Sequence, residues 1–304
     1  MSHRRSKLVA GAVAAAVMLT GCGPQVVAGR PTVTPLQKML YGMEQTKAAE
    51  AAQFRTRNVT GLGNRTYTST AKSGQYGPSP APGLMLTLEK PLGISHCTLG
   101  AVLVADNPLA QFPTPILTAG HCGDLGTPTS LQVGPALKDL RPLSAITTSR
   151  FDGLEPIDNL KFDYAVAFSD VIPDNAAVRI AGRWPVGGVL TEEAVRQLPS
   201  KTQICLLGTY SGVQCGGKLG GTRSALMFDA GSQHGDSGGL VFIVDADRDV
   251  ALLVGIVSGM PEGGLHTYAV LLDTMLQQTG RKALVDASVM IENDDRLSKS
   301  VHGI

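Results

Sequence analysis

The chain has 304 residues, 43% of them hydrophobic and 17% charged, and a formal charge of +1. Such a chain holds one large domain or two small ones, with room for a sizeable core. Near-neutral charge, together with the lack of a basic block, phosphate-binding loop, metal-ligand spacing or internal repeat, speaks against a nucleic-acid partner and against a metal or organic cofactor. Thirty-six glycines and 18 prolines beside only 7 Phe, 6 Tyr and 1 Trp favour many short strands joined by tight turns, hence an all-β fold.

At the N-terminus Arg4, Arg5 and Lys7 precede an uncharged apolar run from Leu8 to Leu19. This is the layout of an export signal, and the run is shorter than the roughly 20 apolar residues that a membrane-spanning helix needs. It ends in Leu19-Thr20-Gly21-Cys22, which resembles the lipobox of bacterial lipoproteins, whose cysteine becomes the acylated first residue of the mature chain. A plain secretory cleavage site is the alternative. Five cysteines are an odd number for an exported protein, and setting Cys22 aside leaves four, enough for two disulfides. The expectation is a signal peptide over 1–21 and a cell-envelope lipoprotein on the outer face of the membrane, where several acyl chains hold stably and one is marginal. Release to the extracellular space is the other possible location. The signal carries three of the 26 basic residues, so the remainder has a slight acidic excess.

From Pro35 to Phe54, Leu36, Met39, Leu40 and Met43 fall at helical spacing among good helix formers, which predicts a short amphipathic helix. Thr56 to Gly83 is rich in Thr, Ser, Gly, Asn and Pro and reads as an extended linker. The segment 22–83 is then either a tether or a pro-segment cut away during maturation. Over 84–283 short apolar runs recur (LMLTL, AVLVA, PILTA, YAVAF, QICLL, GLVFIV, ALLVGIVS, TYAVLL) with turn residues between most of them, as strands of sandwiches or barrels do. Leu271 to Gln278 suits a terminal helix. The tail, 284–304, is polar with little period and is expected to be poorly ordered.

His234-Gly235-Asp236-Ser237-Gly238-Gly239 carries the strongest chemical signal. Glycines on both sides of Ser237 allow a tight turn that exposes a hydroxyl between backbone amides, and the amides of Gly235 and Ser237 converging on one point would form an oxyanion hole. The same residues satisfy G-x-S-x-G, the nucleophile elbow of α/β-hydrolases, which would need its histidine after the serine, as His266 or His302. Upstream, Thr118-Ala119-Gly120-His121-Cys122 sets a histidine just after an apolar strand. Between the two, Asp163 leads the apolar run Tyr164-Ala165-Val166-Ala167-Phe168, with Asp158 as runner-up and Asp152 and Asp170 as surface alternatives.

The order His121, Asp163, Ser237, with TAGHC and GDSGG around two of them, resembles the chymotrypsin-like serine proteases, closest to the bacterial α-lytic protease and streptogrisin type. The resemblance covers about 84–283 and implies two six-stranded antiparallel β-barrels with a C-terminal helix. It implies a catalytic triad in which His121 moves the proton of Ser237 and Asp163 fixes the imidazole, acting on a protein or peptide substrate. It also implies the disulfides Cys97–Cys122 and Cys205–Cys215, the first beside the histidine and the second closing a hairpin. Gly231 and Ser232 stand where basic-selective members carry an aspartate, and Ser258 and Met260 match the strand that lines the specificity pocket, so cleavage after Arg or Lys is not expected. Leu206 stands where bacterial relatives place an arginine that pairs with the aspartate before the serine. Asp236 therefore needs another partner: Arg183, Arg223 or an N-terminus freed by cleavage. The function implied is an exported, membrane-tethered serine endopeptidase. A proteolytically silent lipoprotein using the same fold for binding, and an α/β-hydrolase-type esterase, are the competing readings.

Overall fold

The computed structural model describes residues 54–62, 75–105, 114–153, 161–261 and 265–304. The expected signal, Cys22 and almost all of the helix expected up to Phe54 lie outside these residues.

Seven strands form the first half: β1 (Met85–Lys90), β2 (Gly93–Thr98), β3 (Thr114–Thr118), β4 (Thr129–Gln132), β5 (Leu140–Pro142), β6 (Thr148–Phe151) and β7 (Asp163–Ser169). They lie in a four-stranded sheet ordered β2-β1-β4-β5 and a three-stranded sheet ordered β3-β7-β6. Leu86, Leu88 and Leu131 of the first sheet and Ile116, Ala165 and Ala167 of the second share one core. The run AVLVA contributes only isolated bridges, at Val102 and Leu103.

The second half adds β8 (Arg179–Ile180), β9 (Trp184–Val189), β10 (Gln203–Gly208), β11 (Gly212–Gly221), β12 (Ala225–Phe228), β13 (Leu240–Asp245), β14 (Val250–Gly259) and β15 (Thr267–Leu271). Strands β13-β10-β11-β12-β15-β14 pair in turn, and β14 returns to β13, closing a six-stranded antiparallel barrel. Helix α1 (Glu192–Gln197) and helix α2 (Leu272–Thr279) complete it, α2 falling where a terminal helix was expected.

The continuous apolar runs reflect burial on both strand faces. Successive side chains of a strand point to opposite sides, and in β13 Leu240, Phe242 and Val244 join the core shared with Trp184, Leu117 and Val166, whereas Val241 and Ile243 join a second cluster drawn from five of the six barrel strands. Each such fully buried Leu, Val, Ile or Phe contributes about 1.5–3 kcal/mol of transfer free energy.

Two expectations need correction. The tail 284–304 is packed, not loose: β16 (Ala283–Val285) pairs in parallel with β17 (Val301–Gly303). Between them the amides of Asp286, Ile291 and Ser298 donate to the carbonyls of Val186, Gly187 and Val189. A chain that seals a sheet edge through its backbone needs no side-chain period. Residues 54–62 do not hang free either. Val59 enters the core, Thr56 bridges to Asp245, and the Gly61 amide donates to Val213 O at 3.0 Å.

Candidate active site

His121 sits on a single 3-10 turn, Gly120–Cys122, directly after β3. Any side chain at Gly120 would collide with the Arg150 carbonyl, so glycine lets this turn lie against β6. The antiparallel register of β3 and β7, with Thr118 opposite Ala165, carries the turn to the start of β7. There Asp163 is fully buried. The His121 amide donates to Asp163 Oδ1 at 3.0 Å, and His121 Nδ1 lies 2.9 Å from Asp163 Oδ2. An ionised carboxylate only accepts, so Nδ1 carries the proton and Nε2 keeps its lone pair. Ser258 Oγ donates to the same Oδ2 at 2.5 Å.

Ser237 lies on the second half, in the turn before β13. Gly235 and Gly238 take φ of +100° and +85°, backbone that a side chain would strain. A Cβ at Gly235 would collide with the edge of the Tyr210 ring and one at Gly238 with Thr118 Oγ1. The Thr98 amide donates to Ser237 O at 2.8 Å, which ties the turn to the first half. Among the described residues, the amides of Gly235 and Ser237 meet no protein acceptor. His121, Gly235 and Ser237 line one cleft of about 630 Å³.

Asp236 finds its partners elsewhere than the three candidates. It is fully buried; Oδ1 accepts from the amides of Tyr210 at 3.0 Å and Ser211 at 3.1 Å, and Oδ2 from Ser211 Oγ at 2.5 Å and the Gln233 amide at 2.9 Å. Four donors replace a counter-ion, since hydrogen bonds to a carboxylate offset its loss of water. Arg183 lies over the Trp184 ring and Arg223 pairs with Glu192. A side chain at Gly208 would collide with the Asp236 carboxylate, so the glycines at 208 and 212, beside Tyr210 and Ser211, are the signal that sequence reasoning passed over.

Tyr210 also reaches across to β2, its hydroxyl 2.8 Å from His96 Nδ1. Burial, then the charge of Asp236, push the Tyr210 phenol up, while burial holds His96 below its usual 6.5. The same hydroxyl lies 3.5 Å from Met85 Sδ, so it joins β1 and β2 to the hairpin tip.

Both disulfides implied by the resemblance are formed. Cys97–Cys122 ties β2 to the His121 turn, and Cys205–Cys215 joins directly opposed residues of β10 and β11. Of the expected pocket residues, Ser258 turns its hydroxyl to Asp163, and none of Gly231, Ser232, Ser258 and Met260 lines the cleft of Ser237. His266 lies 3.1 Å from Asp229, and His302 belongs to β17; neither lines that cleft. Asp158 lies outside the described residues.

The fold is all-β, one closed six-stranded antiparallel barrel beside a four-stranded and a three-stranded sheet. The chain is similar to the solved structures of Thermobifida fusca protease A (18% identity over 68% of this chain and 98% of that one, TM-score 0.47), of a Nocardiopsis protease (22%, 67% and 98%, 0.47) and of Cellulomonas bogoriensis chymotrypsin (21%, 68% and 98%, 0.44). No protein-family model and no curated protein matches it.

Proposed function

We propose that the protein is an exported serine endopeptidase, tethered to the membrane through acylated Cys22, that hydrolyses peptide bonds with Ser237, His121 and Asp163. The supporting observation is the pair of His121–Asp163 hydrogen bonds at 3.0 and 2.9 Å, on a histidine that shares its cleft with Ser237. His121 Nε2 takes the Ser237 proton as Oγ attacks the carbonyl carbon, and Asp163 stabilises the imidazolium. The amides of Gly235 and Ser237 receive the oxyanion, each donor lowering the barrier by about 3 kcal/mol. His121 then protonates the leaving amine, and water releases the acyl-enzyme by the reverse sequence.

Gly231 and Ser232 supply no carboxylate to pair with an Arg or Lys side chain, which speaks against cleavage after either. The lipid tether rests on Leu19-Thr20-Gly21-Cys22 and on the pairing of the four other cysteines with one another. No helix among the described residues is long and apolar enough to cross a membrane. The silent-scaffold reading drew on an Asp236 without its arginine and on the missing third disulfide near the serine; the four donors around that carboxylate speak against the first ground. A fluorophosphonate probe tests the proposal: the processed protein is labelled and Ser237→Ala is not. Labelling that survives the substitution, or its absence from the unaltered protein, overturns it.

A further inference from the structure

The cleft of Ser237 extends over a wall that the proposed reaction does not use. Lys90, Ser95, His96, Gln233 and His234 line it together with His121, and no carboxylate does. The Lys90 ammonium donates to the His121 carbonyl at 3.3 Å and, among the described residues, pairs with no acid. Its neighbour Glu89 points to the opposite strand face by the alternation of β1. His96 meets the Tyr210 hydroxyl through Nδ1, which leaves Nε2 as its free ring nitrogen. Ser95 Oγ has no partner among the described residues. The carboxylate behind the wall, Asp236, is buried and taken up by four donors. The wall is thus a set of polar side chains with no acid beside an unpaired cation, set apart from Gly231, Ser232, Ser258 and Met260.

We propose that this wall is a subsite for a substrate carboxylate, with Lys90 as its specificity-determining residue. The inference rests on the protease reading above and names the substrate class of the same site: peptides carrying an acidic group near the cleaved bond, either a Glu or Asp side chain or the terminal carboxylate of a short product-side segment. Attraction between one exposed ammonium and one carboxylate is modest, so the preference is about fivefold and shrinks as salt screens it.

The test uses processed protein and peptide pairs identical except for Glu against Gln at each position flanking the cleaved bond, with a further pair differing only in a free or amidated C-terminus. At one position Glu raises kcat/KM about fivefold over Gln at low salt; Lys90→Arg keeps the preference and Lys90→Glu reverses it, so that Gln is favoured over Glu. A gain confined to the free-terminus pair assigns the subsite to a terminal carboxylate, and a gain within the internal pairs assigns it to a side chain. Equal kcat/KM within every pair, from protein that labels with fluorophosphonate, overturns the subsite and leaves the protease reading standing. Calorimetric binding of the same pairs to Ser237→Ala separates the two claims further: tighter binding of the acidic member supports the subsite without any hydrolysis, and equal binding overturns it.

Discussion

Ser211 Oγ donates to Asp236 Oδ2 at 2.5 Å, so the tip of the β10–β11 hairpin holds the residue that immediately precedes Ser237. Fixing Asp236 fixes the peptide between it and Ser237, and with it the direction of the Ser237 amide proposed for the oxyanion. A hydrogen bond to a buried charge contributes about 1.5–3 kcal/mol. Ser211→Ala is therefore expected to lower kcat by about 10- to 100-fold with KM little changed, and Ser211→Thr, which keeps the hydroxyl, to restore most of it. A fall in thermal stability with kcat intact would reduce Ser211 to a structural role.

Asp163 holds His121 at two atoms, so its replacement by asparagine keeps the shape and loses the tautomer: an amide N–H facing Nδ1 drives the proton to Nε2, where a base is needed. The expected loss in kcat is about 10⁴-fold, read as the rate of peptide hydrolysis or of fluorophosphonate labelling. Ser258→Ala leaves the two His121 contacts in place and is expected to cost far less than Asp163→Asn on the same assay.

The Cys205–Cys215 bond closes a loop of sequence separation 10. Chain-entropy arguments give about 3 kcal/mol for such a loop. Replacing both cysteines by alanine is expected to lower unfolding free energy by about that amount in a denaturant titration. The same variant should lose activity before it unfolds, because Tyr210 and Ser211 sit at the end of the hairpin that the bond fastens. Unchanged stability would show that the strap at Val59 to Gly61 holds the hairpin alone.

The barrel strands were legible because burial on both faces leaves uninterrupted apolar runs, as in Leu240 to Val244. The surroundings of Asp236 showed in the sequence only as the glycines at 208 and 212. Three of its four donors are backbone amides, which carry no side-chain signature, and two of those lie 25 and 26 residues away in sequence. The same blindness hid the tail and the strap over 54–62, which attach largely through main-chain hydrogen bonds to β9, β11 and β13. His121 stood out because a covalent pattern announces it, whereas the Ser258–Asp163 bond spans 95 residues and needed the fold to show it.

Leu297 is 8% exposed and packs into the cluster formed by α1 and the barrel. For a buried leucine, truncation to alanine typically costs 2–5 kcal/mol. Leu297→Ala is expected near the lower end of that range, since the residue lies at the margin of the core, and a melting curve reads it directly. An unaltered melting temperature would return the tail to the poorly ordered state that its composition suggested.

His96 gives the protein a weak acid sensitivity whose sign follows from its burial. Desolvation disfavours the imidazolium, so the folded pKa lies below the unfolded 6.5. Well above 6.5 the ring is neutral in both states and stability is complete. As pH falls from 6.5 toward the lower folded value, the unfolded chain binds a proton that the folded chain refuses, so stability declines across that window and levels off below it. His96→Gln removes the titration and keeps a polar partner for the Tyr210 hydroxyl. The melting temperature of the variant should therefore fall less than that of the unaltered protein between about pH 7 and about pH 5. Parallel curves would show that His96 does not carry the acid sensitivity.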